Sequence, residues 1–143
     1  MRYLLVDAHS VIFAWPELRE LHQRNAESAR EELVRRLTAY EDATGVRVVV
    51  VFDGKGTRAT SDKAPGGIQV FYSGGTRTAD GIIERLAAKY AGEHEITVAT
   101  NDRLEQQTVI TFGGLAISVD ALLKLLVEAE ADVTRRIRQM RKR

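Results

Sequence analysis

Apolar residues along this chain fall into short blocks with two different periods. Tyr3-Leu4-Leu5-Val6 is a four-residue run closed by Asp7, too short for a helix, and reads as a buried strand. Trp15-Pro16-Glu17 can open a helical turn, because proline suits the first helical position. Over residues 26–43 the apolar positions Ala29, Leu33, Val34, Leu37 and Tyr40 recur at helical spacing. Asn25 is placed to cap that helix and Gly45 to stop it. Residues 46–52 include valine at each of 48, 49, 50 and 51, the mark of a central strand covered on both faces.

The polar stretch 54–67 reads as loop. Residues 68–72 form a third strand, and 73–77 a second loop. A helix capped by Thr78 runs to about Tyr90. A fourth strand spans 95–100, a helix 102–112, and a short fifth strand 115–117. Ser118 can cap a last, leucine-rich helix. Strands alternating with helices predict an α/β fold with a mostly parallel sheet. Only the second-to-third connection lacks a helix, which leaves an irregular crossover or an antiparallel strand.

Composition narrows the class. A chain of 143 residues with 44% apolar and 29% charged residues is expected to form one soluble globular domain over 1–143. The absence of cysteine excludes a disulfide framework, a thiolate nucleophile and a thiolate zinc site, and agrees with a cytoplasmic address. No apolar run is long enough for a membrane span, and no signal peptide is visible. Net charge is only +1, but residues 133–143 hold six of the 21 cations and none of the 20 acids. That basic end suits a polyanionic partner, or is a solvated helix end. The apolar face of the last helix (Leu122, Leu126, Val133, Ile137, Met140) can pack on the core or on a second copy in a homodimer.

The chemistry sits where the strands end. In open parallel sheets ligands bind beyond the carboxyl ends of the strands. There the chain places Asp7, Asp53, Asp80 just inside a helix start, and Asp102 after Thr100-Asn101. Singly, each is an ordinary turn or cap residue, and Asp102 with Glu105 has the spacing of a capping pair. Together, four carboxylates on one rim repel unless a cation or proton intervenes. Without cysteine, the set suits Mg²⁺ or Mn²⁺. Such ions serve phosphodiester hydrolysis. Glu84, one turn after Asp80, is a further ligand or a supporting acceptor. Lys55, Arg58, Lys63, Arg77 and Arg103 lie around the acids, either as the cations that phosphate binding requires or as ordinary surface charge. His9, two residues past Asp7, is a proton donor, a substrate contact or a locally bonded histidine. His22 and His94 stand alone. The run Gly54-Lys55-Gly56-Thr57-Arg58-Ala59 matches a dinucleotide-binding pattern, but no helix is predicted to open on it, so a Rossmann cofactor site is not expected.

With these residues in place, the chain resembles the YacP-like branch of the NYN domain family, a group of PIN-like metal-dependent ribonucleases. The matching pieces are LLVDAHSVIFAWPEL, VVVVFDG, the TADGIIERLA helix and ATNDRLEQ, in that order, and they cover nearly the whole chain. The resemblance implies a PIN-like, Rossmann-like three-layer fold with strand order 3-2-1-4-5. It implies metal-binding carboxylates at Asp7, Asp80 and Asp102, with Asp53 near by. It also implies endoribonuclease action on single-stranded RNA and, for YacP-like members, association with translating ribosomes. The family's Asp-Gly-Tyr-Asn is here Asp7-Ala8-His9-Ser10, and Asn101 stands where serine is common. Ser10 and Asn101 are then supporting polar groups around the acids, and His9, an RNA-contacting position, replaces an aromatic suited to stacking on a base. A PIN-like module that binds RNA or the ribosome with weak or lost catalysis is the alternative.

Overall fold

The computed structural model describes residues 1–54, 60–63, 67–74 and 78–142, and for 60–63 only the backbone. In chain order its elements are β1 (Arg2–Asp7), α1 (Ala8–Ala14), α2 (Pro16–Arg24), α3 (Ala26–Thr44), β2 (Arg47–Asp53), β3 (Thr60–Lys63), β4 (Gln69–Ser73), α4 (Ala79–Tyr90), β5 (Glu95–Ala99), α5 (Arg103–Thr111), β6 (Leu115–Ile117) and α6 (Val119–Arg141). The sheet runs β3-β4-β2-β1-β5-β6. β1, β2, β4, β5 and β6 are parallel and, numbered among themselves, follow the expected order 3-2-1-4-5. The connection from β2 to β4 is therefore a crossover. Part of it, read from the sequence as loop, forms β3, which pairs antiparallel with β4 at the sheet edge.

Alternation along the strands sorts side chains between two helical layers. Leu4, Val6, Val48, Val50 and Phe52 pack beneath α1, α2, α3 and α6. Leu5, Val51, Ile96 and Val98 face α4 and α5. The run of valines in β2 is thus covered on both sides, as a central parallel strand must be. The helix ends use the residues the pattern singles out. Asn25, Thr78 and Ser118 side chains accept from the backbone N–H of Ser28, Gly81 and Ala121. Gly45 leaves α3 with φ at 77°, a conformation that glycine adopts without steric cost. Among the described residues no helix is long and apolar enough to cross a membrane.

α1 is an addition to the sequence reading. Its seven residues follow Asp7 directly, and it buries Ala8, Val11 and Ile12. Trp15 then turns the chain into α2 and joins three helices. Its indole N–H donates to the Val119 carbonyl at 3.1 Å, and the Arg36 guanidinium lies 5.3 Å from its ring centre. Arg36, from α3, is also paired with Glu130 of α6 at 3.1 Å. Leu122 and Leu126 seat the first half of α6 on the core, whereas Val133, Ile137 and Met140 stay exposed. In the basic second half, Arg135 and Arg136 both pair with Asp132.

Replacing Trp15 by phenylalanine keeps a ring in the joint but removes the buried indole donor to the Val119 carbonyl, which keeps only its bond within α6, and leaves part of the ring's volume unfilled. The variant is expected to lose about 1–3 kcal/mol of stability, read from urea denaturation followed by circular dichroism. An unchanged midpoint would show that the indole N–H does not hold α6.

Candidate metal centre

The parity that sends Leu5 towards α4 and α5 sends Asp7 the same way, since successive strand residues alternate faces. Asp53 follows Val51 on that face, Ser73 follows Phe71, and Thr100 follows Val98. The carboxyl ends of four strands thus deliver polar groups to one side, where α4 and α5 begin. Asp7, His9, Ser10, Asp53, Thr78, Ala79, Asp80 and Asp102 line a cleft of about 250 Å³ there. At its floor Asp7 and Asp80, with the buried Glu105 beneath the lining, each offer a carboxylate oxygen, all within 4.8 Å of one another.

Thr100 is the hub of this floor. Its Oγ1 lies 3.0 Å from Asp7 Oδ2 and 2.9 Å from Glu105 Oε2, and it accepts from the Asp102 N–H. A hydroxyl has one proton, so it can donate to only one of the two carboxylates at a time. Ser10 Oγ, 2.9 Å from Asp7 Oδ2, donates there and accepts from the Asn101 N–H. The short hydroxyl thus still supports Asp7. Asn101 turns its side-chain oxygen the other way, to the Val119 N–H at the start of α6.

Asp53 and Asp102 act on helices. Asp53 Oδ1 accepts from the Ala79 N–H at 3.0 Å and from Ser73 Oγ, which itself accepts from the Gly54 N–H. It thereby fixes the start of α4, the helix that carries Asp80, and its charge suits a helix N-terminus. A methyl at Gly54 would run into the Ser73 carbonyl, so this glycine answers to strand packing rather than to a dinucleotide. Asp102 Oδ1 caps α5 through the Leu104 and Glu105 N–H groups. In a capping box, Glu105 would reach back to the Asp102 N–H. Thr100 already takes that N–H, so the Glu105 side chain is free to turn into the floor, where it is 1% exposed. Sequence reading sees Glu105 only as a capping partner; its i+3 spacing from Asp102 is the misleading signal.

The electrostatics follow from burial. Among the described residues, Glu105 Oε1 is fully buried and receives no hydrogen bond. Burial, then the facing Asp80 and the charge of Asp7, push the Glu105 carboxyl up to about 9 against the contact from Thr100. Asp80 is also raised, first by burial and then by the charges of Asp7, Asp102 and Asp53, while a proton held on the facing Glu105 opposes this. As a carboxylate, Glu105 thus leaves an orphaned oxygen facing other acids. Either a proton shared with Asp80 or a cation relieves it. Around one Mg²⁺, ligand distances of about 2.1 Å place opposite oxygens about 4.2 Å apart. The spread of the three acids and their all-oxygen chemistry fit such an ion.

The remaining expected residues are placed as follows. His9 is exposed on the cleft wall, and Arg103 is exposed at the first turn of α5. Glu84 lies half-buried along α4, outside the cleft lining. Lys55, Arg58 and Arg77 fall outside the described residues, as does the Lys63 side chain.

Comparison with known proteins agrees with this architecture. The model of the YacP-like NYN domain matches residues 4–143. The uncharacterized protein YacP of Bacillus subtilis (strain 168) is 34% identical over 142 residues, which span 98% of this chain and 84% of that protein. Two crystal structures of Rae1 (YacP) from Bacillus subtilis superpose closely. The W164L mutant matches with a TM-score of 0.84 at 34% identity, over 99% of this chain and 84% of that one. The other matches with a TM-score of 0.83 at 35% identity, over 98% and 82%. The chain belongs to the YacP-like NYN domain family, and its fold is PIN-like and nuclease-type.

A carboxyl whose folded pKa is raised favours the folded state fully below its ordinary value of 4.5, and that contribution is lost as pH rises towards about 9. Without metal, the difference in urea midpoint between the native chain and Glu105→Gln should therefore grow from pH 5 to pH 9. The variant should be the more stable at pH 8, by on the order of 1–2 kcal/mol. Added Mg²⁺ should raise the native midpoint at pH 8 much more than the variant's. Parallel pH curves with no metal response would refute the site.

Proposed function

We propose, with membership of the YacP-like NYN family as the premise, that this chain is a divalent-metal-dependent endoribonuclease acting on single-stranded RNA in the cytoplasm, including mRNA engaged by ribosomes. The observation that carries the reading is the buried Glu105, its Oε1 without a hydrogen bond, clustered within 4.8 Å of Asp7 and Asp80 at a sheet's carboxyl edge. A domain that only bound RNA would gain nothing from buried acids turned towards phosphates.

In this reading Asp7, Asp80 and Glu105 hold Mg²⁺ or Mn²⁺, with Asp102 on the rim close enough to the cleft to join them. When bound, the ion neutralises phosphate charge and acidifies the attacking water. The chain's own groups set the stage. Ser10 and Thr100 hold Asp7, Asp53 fixes the helix start that presents Asp80, and Asn101 ties the turn after β5 to α6. Water adds in line to the phosphorus, the bond to one ribose oxygen breaks, and that oxygen leaves with a proton. His9 contacts the RNA beside the cleft. Arg103, with Lys55, Arg58 and Arg77, meets flanking phosphates, and the basic end of α6 adds affinity that does not depend on sequence.

The test uses end-labelled single-stranded RNA, free and as ribosome-bound mRNA, with Mg²⁺, with Mn²⁺ and with chelator. Cleavage is expected only with metal, and should fall by roughly two orders of magnitude in Asp7→Asn and Asp80→Asn. Ser10→Ala should cost roughly tenfold, because it removes an outer support of a ligand. RNA binding without cleavage on either substrate, unaltered by these variants, would make the protein a binding module instead.

A further inference from the structure

α1 buries three of its apolar residues and leaves a fourth, Phe13, 43% exposed. Phe13 stands one helical turn beyond His9, on the same face of α1. The His9 ring lies 4.6 Å from the Phe13 ring, centre to centre, and the His22 ring of α2 lies 4.9 Å from Phe13 on from there. Three rings from two helices therefore form an unbroken strip, and its first member is part of the cleft wall. Neither imidazole lies flat on the phenyl ring, the interplanar angles being 43° and 63°. With both imidazoles against it, Phe13 still keeps 43% of its surface open to solvent.

We propose that His9, Phe13 and His22 form a stacking platform for a nucleobase of the RNA strand, that of a nucleotide neighbouring the phosphate in the cleft. The inference rests on the nuclease reading of the cleft and adds a base-binding subsite to it. Three points favour a base as the occupant. The strip is continuous with the site that takes the phosphate. Aromatic faces hold unpaired bases whatever their identity, because every base has a π face. Imidazoles combine a flat apolar body with polar ring edges, which suits the rim of a base more than an aliphatic anchor does. The subsite also gives a role to His22, which has no part in the metal centre.

The experiment measures RNA binding in the Asp80→Asn background, so that cleavage cannot interfere. Short single-stranded RNAs carry 2-aminopurine or an abasic site at each position in turn. With the phenyl ring intact, one position should show stacking quench of 2-aminopurine on binding, and an abasic site there should weaken affinity about tenfold. Phe13→Leu should weaken binding of intact RNA by a similar factor and abolish the quench. The abasic site should then cost nothing further in the leucine variant, while Phe13→Tyr should bind and quench as the native ring does. Binding of Phe13→Leu within twofold of the parent, additive effects of leucine and abasic site, or no RNA binding at all would overturn the platform. Cleavage is scored separately in the native chain. A ring-dependent protein that never cleaves would refute the nuclease and keep the platform, and a nuclease indifferent to Phe13 would do the reverse.

Discussion

Repulsion among three carboxylates is the constraint around which the rest of this protein is arranged. Asp7, Asp80 and Glu105 arrive from a strand and two helices and sit within 4.8 Å of one another, two of them buried. Left alone they would part. Two hydroxyls grip Asp7, the peptide N–H of Ala79 ties α4 to Asp53, and α5 is anchored by its own cap. The residual charge needs a counter-ion or a proton, and the raised carboxyl of Glu105 records that need.

Five acids crowd this rim, and hydrogen bonding divides them. Asp53 and Asp102 spend oxygens on the first N–H groups of α4 and α5, so they set where those helices begin. Asp80 rides on the first of these helices and Glu105 on the second. Each of these two helices thus couples a capping acid to an acid of the carboxylate cluster. Loss of Asp53 would act on that cluster through the aim of Asp80.

Much of this was legible in the sequence, for reasons that differ by element. The long amphipathic α3 and α6 and the valines of β2 declare themselves, because their pattern is sustained or extreme. The strand order came from the family resemblance, and the pairings agree with it. β3 escaped because four residues inside a polar stretch carry no alternation to read. α1 escaped because seven residues right after a strand give too few turns to show a period. Asp7 could be singled out at a strand end, but Glu105 could not. Its spacing mimics a cap, and only the contact between Thr100 and the Asp102 N–H frees it. Thr100 itself is one hydroxyl among many until strand parity sets it beside Asp7.

The margins of the sheet are guarded against growth. β3 lies along the β4 side, antiparallel and only four residues long, and at the other margin β6 is three residues long with α5 packed against it. Among the described residues, neither margin offers a long, flat row of free amides and carbonyls to a strand from another molecule. Aggregation by strand addition is therefore disfavoured even though the interior of the sheet is rich in valine.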